Sequence, residues 1–363
     1  MTYLDYQATT PLAPEVLAAM LPWLEQGHAN PHSSHAAGRA AKAAVETARA
    51  QVAALLPRGG RVVFTSGATE ALNWAIKGSP AGDLVTIATE HAAVLDTVGT
   101  LAAGGREATI LPVDHDGIVD MAAAGRAIQP GARPVAAMLV NNEIGVTQPI
   151  AELSALADFA GTPLICDAVQ GYGRVPIPDG CDMVAISAHK IHGPKGIGAL
   201  WIRDGITLEP LLHGGDQEGG RSGTLSPALC AGFGVAAALA ADRFEADRAH
   251  VERLFALALD RLGPEWIVNG SIEQRYRGNL NVRFPSLDVA RLMSELRDIA
   301  FSAGSACASG SGRPSHVLRA IGLSDAEARS SIRLGFGRYT TEAELAAALD
   351  RIDGAARAQR IAA

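Results

Sequence analysis

Residues 61–76 read RVVFTSGATEALNWAI. Arg61-Val62-Val63-Phe64 is β-branched and aromatic, which predicts a short strand. Thr65 to Glu70 interrupts it with polar residues and glycine, and Ala71–Ile76 predicts a helix. A strand, a glycine turn and a helix form the unit of doubly covered α/β sheets. The turn Ser66-Gly67-Ala68-Thr69 also suits a phosphate. Glycine admits close backbone approach, the helix start offers unpaired N–H groups, and Thr69 adds a hydroxyl. An ordinary Thr/Gly helix cap fits the same residues. Neither GxGxxG nor GxxxxGK[ST] is present here, so the dinucleotide and nucleoside-triphosphate fingerprints are missing.

The same alternation extends outward. Glu15–Leu24, Ala37–Leu56 and Ile150–Phe159 have helical periodicity, and Leu84–Ala88, Pro134–Val140, Leu164–Cys166 and Met183–Ile186 are short apolar runs. Continuous apolar runs of this length suit strands covered on both faces, as in a parallel sheet. After Asp242 the alternation stops. Arg243–Leu262 predicts a charged amphipathic helix, Asn279–Phe284 a strand, Val289–Leu296 a helix, Ser331–Leu334 a strand and Glu342–Gly354 a helix. The expected architecture is a large, mostly parallel α/β domain over 13–242, with a smaller α+β domain formed by 1–12 and 243–363.

The 363 residues are 48% hydrophobic and 19% charged, a globular balance. A net charge of −7 with no basic run argues against direct nucleic-acid binding. Met1–Tyr6 carries an early acid and no leader pattern. Pro227–Ala241 is apolar but shorter than the ~20 residues of a membrane span. Cys166, Cys181, Cys230 and Cys307 form no CxxC pair, so neither a metal site nor a disulfide framework is expected, and a reducing cytoplasm is the expected compartment. Cys166, Cys181 and Cys230 sit in apolar settings and read as core residues. Cys307 differs: FSAGSACASGSGRPSH, residues 301–316, lacks packing side chains, which suits a mobile thiol.

Lys42, Lys77, Lys190 and Lys195 are the only lysines. Lys190 follows the apolar run MVAIS, where an uncompensated ammonium costs free energy. Lys195 reads as a surface loop lysine, a reading also open to Lys190. Asp167 ends the run LIC, at the sheet edge where open α/β folds bind ligands, although a helix N-cap aspartate fits too. Gln170 stands three residues on. His91 ends another run, and a structural histidine remains an alternative there. Pyridoxal phosphate needs an amine, an anion cradle and a carboxylate for its pyridinium nitrogen. Lys190, the Thr69 turn and Asp167 supply one of each.

Stretches along most of the chain resemble pyridoxal-phosphate-dependent cysteine desulfurases of the nitrogen-fixation and housekeeping iron–sulfur type, within the class V aminotransferase-like superfamily. They are YLDYQATTPLAPEV (3–16), FTSGATEALNWAIKG (64–78), EHAAVLDT (90–97), NNEIGVTQPI (141–150), CDAVQ (166–170), SAHKIHGPKGIGAL (187–200), RSGT (221–224), SAGSACASG (302–310) and SSIRLGFGR (330–338). The resemblance implies the type I fold of these transferases. It implies that Lys190 binds the cofactor as a Schiff base and moves the Cα proton, that Asp167 pairs with the pyridinium nitrogen, Gln170 with the phenolic oxygen, and that His91 stacks on the ring. Ala68, Thr69, Ser187 and His189 would hold the phosphate, joined by Thr224 from the other subunit of a homodimer. Asn142 and Arg333 would hold the α-carboxylate of L-cysteine. Cys307 would take the sulfur as a persulfide, leaving L-alanine, and pass it to an acceptor protein for iron–sulfur cluster assembly.

Two departures from the family pattern stand out. Ser311-Gly312-Arg313-Pro314 replaces an apolar–acidic pair before the proline, and HGGDQEGGR (213–221) is shorter than usual. Selenocysteine lyase activity, another class V reaction, and sulfur donation for tRNA thiolation or molybdenum cofactor remain as alternatives. No metal is implied.

Overall fold

The computed structural model describes residues 1–215, 217–304 and 314–361. Its strands are β1 (Thr2–Tyr3), β2 (Gly60–Thr65), β3 (Asp83–Ile87), β4 (Ala108–Leu111), β5 (Ala132–Met138), β6 (Leu164–Asp167), β7 (Met183–Ser187), β8 (Gly198–Arg203), β9 (Ile267–Val268), β10 (Asn279–Arg283), β11 (Ile299–Ala300), β12 (Ser302–Ala303) and β13 (Ser331–Gly335). A seven-stranded sheet runs in the order β2-β8-β7-β6-β5-β3-β4. The ladders β7–β6–β5–β3–β4 are parallel, while β8 is antiparallel to both neighbours. The sequence reading had no strand at Gly198–Arg203. The chain between β7 and β8 is a short turn rather than a crossover helix, so the strand must return antiparallel.

Both faces of this sheet are buried, for a reason visible in the side-chain alternation. Val62, Phe64, Val184, Ile186, Ala199 and Trp201 enter one core with helices Pro14–Glu25, Ala36–Ala53, Ile150–Ala160 and Pro227–Asp242. Val63, Met183, Ala185, Leu200 and Ile202 enter a second with helix Ala68–Gly78. A separate four-stranded sheet, β12-β13-β10-β9, packs Leu280, Val282, Ile332 and Leu334 against helices Phe244–Leu262 and Glu342–Ile361. Helix Pro227–Asp242 meets helix Phe244–Leu262 at a 72° bend. Among the described residues no single helix is long and apolar enough to cross a membrane.

The N-terminal residues contact the chain after residue 277. β1 pairs parallel with β11, Asp5 bridges to Gly335, and Gln7 Nε2 donates to Gly278 O at 2.8 Å.

Candidate active site

Strands β2, β3, β5, β6 and β7 all end at one cavity of about 600 Å³. Its lining includes Ser66–Thr69 after β2, His91 after β3, Asn142 after β5, Asp167 at the end of β6, and Ser187, His189 and Lys190 at the end of β7. The site therefore sits at the carboxyl edge of the parallel strands, where helix N-termini converge.

Helix Ala68–Gly78 begins at the glycine turn, so its first-turn N–H groups face the cavity without helical carbonyl partners. Glu70 accepts from the Ser66 N–H at 2.7 Å and pairs with Arg221 at 2.8 Å, which pins the turn. Gly198 on β8 makes room for it. A Cβ there would lie 2.5 Å from the Ile186 oxygen and 2.8 Å from Gly67.

Asp167 is 6% exposed, and its Oδ1 accepts from the Val169 N–H at 3.0 Å. Burial raises its pKa, opposed by that N–H, His91 and Lys190. His91 caps helix Ala92–Ala103, its Nδ1 accepting from the Ala93 N–H at 3.0 Å. Burial lowers its pKa, and with Nδ1 accepting, the ring carries a proton on Nε2. Lys190 closes a short 3-10 turn after β7, and its Nζ donates to the carbonyls of Gln7 at 2.5 Å and Ala8 at 2.8 Å. Burial lowers the amine to about 7, helped by Arg174 and Arg333 and opposed by Asp167 and Asp5. His189, beside Thr9 at 3.1 Å, is lowered to about 4, mainly by burial.

Gln170 is held at both ends, its Nε2 donating to Gln7 O at 2.9 Å and its Oε1 accepting from Arg174 Nη1 at 2.8 Å. Arg333 comes from the other sheet and is 1% exposed. It pairs with Asp5 at 2.7 Å and donates to Asn142 O at 3.0 Å and Ser302 Oγ at 3.2 Å. Its Nη2 spends both hydrogens on Asp5 and Ser302 and its Nη1 one on Asn142 O, while its Nε has no partner, which leaves the Nε hydrogen and one on Nη1 for an incoming carboxylate. Lys195 is exposed yet lines the mouth.

The structure thus gathers Ala68, Thr69, His91, Asn142, Asp167, Gln170, Ser187, His189, Lys190 and Arg333 around one space. Thr224 is exposed and does not line it. Cys307 lies outside the described residues. Cys166, Cys181 and Cys230 are buried free thiols, with burial holding Cys230 at about 12 and the contact with Cys181, then burial, pushing Cys166 well above the ordinary thiol value. Neither Cys166 nor Cys230 is a thiolate near neutral pH. Sequence reasoning assigned no role to Asp5, Gln7, Ala8, Thr9, Glu90 or Arg174. Glu90 is fully buried, and burial and the Asp167 charge push it well above the carboxylate range. The signal for Asp5 to Thr9 was the stretch YLDYQATTP itself.

The profile described as Aminotransferase class-V matches residues 2–347. The chain belongs to this family. A cysteine desulfurase IscS from Rickettsia bellii is 44% identical over 360 residues, covering 94% of this chain and 88% of that protein. A cysteine desulfurase from Mus musculus is 45% identical over 361 residues, covering 94% and 78%. Among solved structures, a NifS-like protein from Rickettsia africae superposes with a TM-score of 0.89 at 30% identity, covering 98% and 99%. Another, described as SspA in complex with cysteine, gives 0.81 at 36% identity, covering 94% and 100%.

Class-V members of this kind depend on pyridoxal phosphate, and the residues fit that group. An amine, a buried carboxylate and a helix start with flanking hydroxyls share one cavity, and two buried polar atoms on its lining, Arg333 Nε and Gln7 Oε1, lack a partner.

Proposed function

We propose that this class-V enzyme converts L-cysteine to L-alanine and takes the sulfur onto Cys307. The bond between Cβ and sulfur breaks, a bond between that sulfur and Cys307 Sγ forms, and L-cysteine plus the thiol gives L-alanine plus a persulfide. The observation that carries this reading is Lys190, an amine near 7 in one cavity with Asp167 and the Ser66–Thr69 turn. The cysteine desulfurases among its relatives support the substrate.

Pyridoxal phosphate, when bound, supplies an electron sink for bond cleavage at the substrate Cα and Cβ. Lys190 would hold it and then take and return the Cα proton, since an amine near 7 is partly unprotonated at neutral pH. Asp167 would face the pyridinium nitrogen, whose charge favours the carboxylate that burial alone disfavours. Gln170 would meet the phenolic oxygen, with Arg174 orienting its amide. Ala68, Thr69, Ser187 and His189 would receive the phosphate, joined by Thr224 of a second copy in a homodimer. His91 would lie against the ring, and Asn142 and Arg333 would grip the substrate carboxylate.

The sulfur would pass to an acceptor protein, with iron–sulfur assembly in the cytoplasm as the destination. The matching division of the chain is 13–242 against 1–12 plus 243–363, supported by the 72° bend between helices Pro227–Asp242 and Phe244–Leu262.

The test measures alanine and sulfide from L-cysteine with a thiol reductant. Wild type should release both in equal amounts. Cys307→Ala should keep the cofactor's visible band and lose sulfide release, and Lys190→Ala should lose turnover. Undiminished sulfide release by Cys307→Ala would overturn the role of that thiol, and turnover by Lys190→Ala would overturn the reading as a whole.

A further inference from the structure

A second cavity of about 510 Å³ opens where helix Phe244–Leu262 faces the segment Gly173–Pro176 and the loop before β10. Lys190 is the one residue common to the linings of the two cavities. Five arginines line the second space, Arg174, Arg248, Arg275, Arg277 and Arg338, against three carboxylates, Asp247, Glu252 and Glu273. Arg338 and Asp247 neutralise each other at 2.6 Å, and Arg277 reaches Glu252 only at 3.6 Å.

Among the described residues Arg275 has no carboxylate partner. It is 7% exposed, its Nη2 donates to Ile144 O at 2.5 Å, and its Nε and Nη1 are buried without a partner. Burial and the neighbouring charge of Arg277 lower its pKa to about 9. A guanidinium so placed lacks both solvent and counter-charge, an arrangement that costs free energy unless an anion completes it. Phe255 supports the pair from below, 5.4 Å from Arg275 and 4.9 Å from Arg277. Tyr6, Val175, Pro176, Phe244 and Val251 give the remaining wall an apolar character. Volume, apolar wall and a few converging polar groups are the usual makeup of a small-molecule site.

We infer that this second cavity binds a small organic anion, a carboxylate or phosphate on an apolar body, through Arg275 and Arg277. The site adjoins the cofactor cavity through Arg174. That guanidinium donates to Gln170 Oε1 at 2.8 Å and to Lys190 O at 2.5 Å, and it lies 5.2 Å from the Tyr276 ring within the second cavity's lining. An occupant would therefore touch the side chain that fixes the Gln170 amide. The inference does not depend on the proposed reaction, since Arg275 and Arg277 both lie outside the first cavity's lining.

The experiment is calorimetric titration of the cofactor-loaded protein with phenyl phosphate and, separately, phenylacetate. The cofactor then fills the first cavity's own phosphate cradle. One probe or both should saturate one site per chain, and which one binds tells phosphate from carboxylate. Arg275→Met should weaken that affinity about tenfold or more, as expected for a lost charge-assisted bond. Arg277→Met, on a partly exposed side chain, should weaken it several-fold and remains decisive if the buried variant does not fold. Arg333→Lys, in the first cavity, should leave it unchanged. Saturable binding of neither probe would overturn the inference, as would affinity indifferent to the folded Arg275 and Arg277 variants or lost in Arg333→Lys alone.

Discussion

The two sheets contribute to the active site in different ways. The seven-stranded sheet supplies its residues from the ends of successive strands: the Ser66–Thr69 turn, His91, Asn142, Asp167, and Ser187 with His189 and Lys190. Such residues are positioned by ladders buried on both faces and need little further support. The four-stranded sheet reaches the cavity through one side chain, Arg333, and that side chain is held by long-range bonds to Asp5 and Asn142. The large sheet therefore sets most of the cavity's lining, and the small one adds a guanidinium whose place depends on bonds to residues far away in the chain.

The largest test of that contrast is Asp167→Ala. With the carboxylate gone from the β6 end, alanine release should fall by about 10²–10⁴-fold, the scale typical of a removed charge or proton partner, while thermal stability changes little. A fall of less than tenfold would break the assignment. Arg333→Lys should act on the other side of the contrast. A point charge in place of a planar fork should raise KM for L-cysteine about tenfold to a hundredfold with a smaller change in kcat. An equal loss in kcat alone would mean that the small sheet contributes to chemistry rather than to grip.

Gly198→Ala should destabilise the chain by about 1–3 kcal/mol, since the added Cβ must displace backbone of both Ile186 and Gly67. Its cofactor affinity should fall with it, measured by equilibrium dialysis of the folded variant. The smallest effect concerns pH. The Lys190 amine is lowered from 10.5 to about 7 in the folded, cofactor-free chain. Between those values the unfolded chain binds the extra proton, so this residue's destabilising contribution shrinks as pH rises from about 7 towards 10.5. Denaturant melts of wild type and Lys190→Met should converge over that range, and parallel curves would contradict the shift.

Much of this was legible in the chain. Lys190 and Asp167 stand out because charged groups directly after apolar runs are costly without a purpose, and RVVFTSGATEALNWAI announces a strand, a turn and a helix. The antiparallel return of β8 was not legible, because a strand's direction depends on the connection and not on its own periodicity. Gln7 and Ala8 escaped for a different reason: they act through backbone carbonyls, 183 and 182 residues from Lys190. Carbonyl oxygens are the same in every residue, so no side-chain pattern marks them. Arg174 escaped because its bonds go to Gln170 and the Lys190 carbonyl, contacts that no motif in the sequence marks.

The N-terminal strap has a consequence for synthesis. Residues 2–7 leave the ribosome well before their partners Ile299, Gly278, Gly335 and Arg333. The parallel sheet can assemble as it emerges, but the carbonyls that receive the Lys190 amine are not anchored until the final third of the chain has arrived. A nascent chain halted before residue 299 would hold every strand of the large sheet and still lack a finished seat for its amine.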